Sequence, residues 1–104
     1  MEHHVQALIS RDLDGVCSDY ADDAVIFSPH GAFKGPEAIR ACFAGVMGLM
    51  TPEVIKNMKI IKQDINGDYV YLVWSAPGIP LGSDTICIRE GKVVMQSFIA
   101  QMNP

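Results

Sequence analysis

The chain has 104 residues, 49% of them hydrophobic, and a formal charge of -4. That fits a single globular domain, 1–104, with a core that buries roughly two-thirds of the unfolded chain's surface. Its eight Lys and Arg form no cluster and are outnumbered by twelve Asp and Glu, which argues against nucleic acid or an anionic membrane as partner, since both need concentrated positive charge.

Met1-Glu-His-His-Val5 lacks a basic region followed by an apolar core, and no apolar run reaches the length of a membrane span. Cys17, Cys42 and Cys87 are odd in number, lie in apolar segments and have no C-x-x-C spacing. They are expected to be reduced, buried thiols in a cytoplasmic protein rather than a disulfide framework or a zinc site.

Val5, Leu8, Ile9, Leu13, Val16, Cys17 and Tyr20 recur at spacings of three and four, which predicts a helical path with one buried side. Asp12 and Asp14 suggest a break and a fresh cap, so a second, short helix is expected to end near Ala21, with Asp22-Asp23 as a turn. Ala24 to Ser28 has strand composition. Pro29, Gly31 and Gly35 then punctuate a turn, and Pro36 opens the next helix with Gly35 as its N-cap and Glu37 complementing its positive end. Ile39, Phe43, Val46, Met47 and Met50 continue that helix until Thr51-Pro52 stops it.

The second half reads as four extended segments. Val54 to Ile65 meets Tyr69 to Ala76 through Asn66-Gly67, a strong hairpin signal. Pro77 to Gly82 is a looser connection, Ser83 to Arg89 follows, and Glu90-Gly91-Lys92 turns into Val93 to Met102. Helices followed by an antiparallel meander indicate an α+β domain. Strict alternation puts Asp84, Ile86 and Ile88 on one face, and sets Val94, Gln96, Phe98 and Ala100 against Val93, Met95, Ser97 and Ile99. Both faces of the last strand are apolar, so a homodimer through the outer face is expected.

Three stretches in order, Tyr20-Ala-Asp-Asp-Ala24, Gly31-x-Phe-Lys-Gly-Pro-Glu-Ala-Ile39 and Ser83-Asp-Thr-Ile-Cys-Ile-Arg-Glu-Gly-Lys-Val93, resemble the SnoaL-like branch of the nuclear transport factor 2-like superfamily, which includes ketosteroid isomerases. The resemblance implies a cone-shaped α+β half-barrel, a strongly curved mixed sheet wrapped around N-terminal helices, with an apolar pocket at the open end and a dimer through the sheet. It does not fix function, because the superfamily spans isomerases, cyclases, dehydratases and binding modules.

By resemblance, the isomerases' hydrogen-bonding tyrosine falls on His4, their general-base aspartate on Ser28, and their neutral oxyanion-hole aspartate on Asp84 or one residue away. A serine hydroxyl is too weak to take a proton from carbon, so isomerisation by the family mechanism is not expected. His30, two residues on, is the candidate replacement base; the alternative is a side chain on a solvated turn. His4 with Asp84 would form another acid/base couple. Asp84 beside Ile86 and Ile88 would have its neutral form favoured by desolvation, unless local hydrogen bonding at a strand start satisfies it.

The candidate catalytic residues are therefore His4, His30 and Asp84, and the candidate ligand-binding residues Ser28, Trp74, Gln96 and Phe98. No metal or cofactor is expected, since Asp22-Asp23 has no third ligand to complete a site. The primary functional expectation is a small dimeric protein that binds an apolar or weakly polar molecule in an interior pocket. The alternatives are a cofactor-free isomerase or lyase and a non-catalytic dimeric interaction module.

Overall fold

Thr51-Pro52 starts a helix as well as ending one. In the computed structural model, which describes residues 2–101 and side chains from Gln6 to Gln101, Thr51 accepts a hydrogen bond from the Val54 amide at 3.3 Å. Pro52 follows at the first helical position, where its missing N–H costs nothing. The chain runs α1 (Glu2–Ile9), α2 (Leu13–Ser18), β1 (Tyr20–Ser28), β2 (Gly31–Lys34), α3 (Pro36–Leu49), α4 (Pro52–Lys56), β3 (Lys59–Asn66), β4 (Tyr69–Ala76), β5 (Ile79–Arg89) and β6 (Lys92–Gln101). The expected extended segment Val54 to Ile65 is thus divided: its first turn is α4, with Glu53 and Lys56 matching the helix dipole, and only its second part is strand. Among the described residues no helix is long and apolar enough to cross a membrane.

The α2 cap is the expected one, with the Asp12 carboxylate accepting from the Gly15 amide at 3.0 Å. A Cβ at Gly15 would meet that carboxylate at 2.4 Å, so a side chain there would push the capping carboxylate aside. Gly35, at φ 88°, precedes Pro36 as predicted. The Arg11 guanidinium donates to the Met50 and Met47 carbonyls at 2.9 and 2.5 Å, placing a cation at the negative end of α3.

The strands form one sheet in the order β2-β1-β6-β5-β4-β3. Its β1–β6 pair is parallel and its other pairs antiparallel, giving the curved, mixed sheet expected. Asp22 and Asp23 belong to β1 rather than to a turn. The β1–β6 register slips between Tyr20 and Val25, and this irregular stretch keeps both acids exposed. Gly31 to Lys34 pairs back on β1 as β2, so only Pro29 and His30 remain as the turn. The Pro77 to Gly82 connection is likewise shorter than expected, because Ala76 already faces Ile79 across Pro77-Gly78.

A second register shift, between Cys87 and Ile88, pairs Ile88 with Val93 and Cys87 with Met95. The extra residue, Val94, breaks the strict alternation read from the sequence. Val93 therefore packs on the same core as Phe98, where unbroken alternation would have opposed them. That core joins Ala7 of α1, Val16 of α2, Tyr20, Ala24 and Ile26 of β1, and Ile39, Cys42 and Phe43 of α3. Short helices thus cover the concave side of β1 and β6, and the rings of Tyr20 and Phe43 meet there at 5.4 Å, tilted by 52°.

Candidate functional site

Asp84 lies mid-strand in β5, opposite Leu72 of β4 and Phe98 of β6. It shares a face with Ile86, which lies opposite Gln96, and Gln96 in turn lies beside the fully buried Ile26. Residues directly paired across strands point to the same side, so Asp84 is on the concave, core-facing side. Being inside the strand and not at its start, it is not satisfied by local backbone bonds. Its carboxylate instead accepts from the Trp74 indole N–H at 2.9 Å on Oδ1 and from the Gln96 amide at 2.8 Å on Oδ2.

Gln96 completes a chain of hydrogen bonds. It is buried, at 6% exposure, and its Oε1 accepts from the Tyr20 hydroxyl. A phenol that donates to Oε1 orients the amide, leaving its NH2 to donate to Asp84. Four strands are joined in this way: β1 through Tyr20 at its start, β6 through Gln96, and the neighbouring β5 and β4 through Asp84 and Trp74. Burial pushes the Asp84 carboxyl above its ordinary range, while the Trp74 and Gln96 donors pull it back in part. Burial, followed by the nearby Asp84 charge, holds the Tyr20 hydroxyl far above its ordinary range, so it stays a donor.

Phe98 lies directly across from Asp84, whereas Ser28 and His30 lie elsewhere. Ser28 Oγ donates to the Gly31 carbonyl and accepts from the His30 amide, both at 3.1 Å, so the hydroxyl is committed to the turn between β1 and β2. His30 occupies that turn and is exposed. The extended path that would have carried it inward ends at Ser28 because the chain reverses there. The His4 side chain lies outside the described residues.

Open depressions lie among the described residues. One of about 330 Å³ is lined by Phe27, Ser28, Pro29, Ser83, Ser97, Phe98 and Ile99, where β6 runs on past its last pair with β1. Another, of about 670 Å³, is lined largely by charged side chains, including Asp23, Asp68, Arg89, Glu90 and Lys92. Asp84, Trp74 and Gln96 line neither. Among the described residues no group of three or more His, Cys, Asp or Glu is placed to hold a metal ion.

Sequence reasoning therefore grouped Asp84, Trp74 and Gln96 but missed Tyr20, which was read only as a member of a helical stripe. A glutamine in an apolar strand was the available signal, because a buried amide needs partners at both ends. The identity of the partner depended on the parallel pairing of β1 with β6.

A curved, mixed six-stranded sheet packed against helices places the chain in the nuclear transport factor 2-like class of α+β folds. Within that class the chain belongs to the SnoaL-like domain family, whose model matches residues 1–95. Similar crystal structures include a SnoaL-like protein from Burkholderia thailandensis, 20% identical, with 96% of this chain and 90% of that one covered at a TM-score of 0.76. Another is a candidate polyketide cyclase from Sinorhizobium meliloti, 17% identical, with 93% and 90% covered at 0.73. A third is TerC co-crystallised with polyporic acid, 16% identical, with 96% and 87% covered at 0.71. These likenesses establish the fold. Comparison with curated protein sequences finds no match.

Proposed function

We propose that the protein binds a small, ring-bearing, weakly polar molecule on the concave side of the sheet, with Asp84 as the polar anchor. One observation carries this reading: a carboxylate held by Trp74 and Gln96 on an otherwise apolar wall remains partly exposed. A group fixed there only for stability would be better replaced by an apolar side chain, since burying a carboxylate costs more than its hydrogen bonds return. The likeness to a candidate polyketide cyclase and to a protein crystallised with polyporic acid supports the same ligand class.

The indole N–H of Trp74, the one tryptophan in the chain, is a unique reporter. Titration with small hydroxylated and carbonyl-bearing aromatics should shift its NMR resonance saturably, and Asp84→Asn should weaken the response. A resonance unmoved by the whole panel would overturn the reading in favour of a dimeric interaction module.

Cofactor-free isomerase or lyase chemistry is a second reading, supported by the upward shift of the Asp84 carboxyl, which suits an acid/base group. It would need a partner base other than the turn-bound His30. A homodimer is proposed through the convex face, where Phe27, Tyr69, Tyr71, Leu81 and Ile99 are all at least 40% exposed and register puts them on the side away from the core. That much apolar surface suits a self-complementary contact.

A further inference from the structure

We infer that the Asp84 site selects ligands that donate a hydrogen bond to the carboxylate, such as phenols, enols or ring N–H groups, over ligands that present only a carbonyl acceptor. The inference rests on the concave binding site proposed above and specifies its polarity. The donors around Asp84 set that polarity. Trp74 Nε1 has a hydrogen to give and no lone pair to accept with, so Oδ1, at 2.9 Å from it, is an acceptor. Gln96 could in principle turn its oxygen toward Asp84, but the Tyr20 hydroxyl donates to that oxygen, so the amide presents N–H to Oδ2 at 2.8 Å.

Each carboxylate oxygen therefore receives one N–H from the wall and has a lone pair left, while neither wall partner offers an acceptor for a carboxyl proton. A proton placed on either free lone pair would cancel the charge that both wall N–H groups stabilise, and so weaken two hydrogen bonds at once. A donating ligand leaves that charge and both bonds in place. Phe98 directly across from Asp84, and Trp74 one strand away, are both partly exposed, so a planar ring carrying the donor has apolar faces to lie against.

The test compares three probes of one shape, 2-naphthol, 2-methoxynaphthalene and 2-acetylnaphthalene, titrated into the wild-type protein by calorimetry and by the Trp74 indole resonance. A charge-assisted hydrogen bond should make the naphthol bind about tenfold or more tightly than the other two. Asp84→Asn, whose amide donates as well as accepts, should bring the naphthol-to-ketone affinity ratio down to about one. Equal binding of all three, or tighter binding of the ketone, would overturn the donor preference and leave the concave site standing. If no probe binds, the inference and the site it rests on both fall. The Gln96→Leu variant separates wall polarity from mere proximity: with one donor removed the naphthol preference should shrink, and an undiminished preference would count against the assigned role of the wall.

Discussion

The Trp74 indole lies against the backbone of Gly82, its cross-strand partner, so closely that a Cβ there would fall 2.4 Å from two ring carbons. Two residues further along β5 on the same face is Asp84, which the indole N–H reaches. The missing side chain at 82 therefore sets the tilt of the ring and so the position of the donor.

Gly82→Ala should displace the indole, break its bond to Asp84 and destabilise the fold by about 1–3 kcal/mol through overpacking. Denaturant unfolding reads the stability. An upfield move of the indole N–H resonance reads the broken bond, and an unchanged resonance would mean that Gly82 does not position the ring.

Tyr20→Phe leaves the buried Gln96 oxygen without its donor and should cost about 1–3 kcal/mol. Gln96→Leu should cost a similar amount by removing the buried acceptor of the Tyr20 hydroxyl and a donor to Asp84. Because the residues form one network, the double variant should lose less than the sum of the two. Strict additivity in a double-mutant cycle would contradict a shared bond.

Burial raises the folded pKa of Asp84 above the ordinary 3.8. Between that value and the raised one the native state binds more protons than the unfolded chain, so this contribution is complete below 3.8 and is lost as pH rises through the folded pKa. The unfolding free energy of wild type minus that of Asp84→Asn should therefore fall with rising pH across that window and level off above it. A difference that rose with pH would mean that the two donors outweigh burial.

Ile99 is 61% exposed on the convex face, so Ile99→Lys should leave the monomer fold intact. Sedimentation should show a dimer for the wild type and a shift toward monomer for the variant. Cys87, on the same face but only 3% exposed, is the wrong place for that charge, because it would disrupt the protomer itself. A monomeric wild type would reject the interface.

Local chemistry made much of the fold readable. Asp12 as a cap and Gly35-Pro36 as a helix start each act through groups a few residues apart, so spacing alone reveals them. The hairpin between β3 and β4 was legible too, but its turn is Gly67-Asp68, with Asn66 still paired to Tyr69, rather than Asn66-Gly67. Thr51-Pro52 showed the limit of such reading, since the same dipeptide that ends α3 also caps α4. The bulge at Val94 was not legible either, because a slip in register depends on which strand lies alongside.

The order of residues by itself determined an α+β chain with one apolar side to its helices, an acidic surface without a basic patch, and an aspartate set among isoleucines. Only the tertiary structure decided that Tyr20, Gln96, Asp84 and Trp74 form one connected set while His30 and Ser28 close a turn. The reason is physical: a hydrogen bond between residues 76 positions apart exists only once the parallel pairing of β1 with β6 brings the two side chains to the same wall.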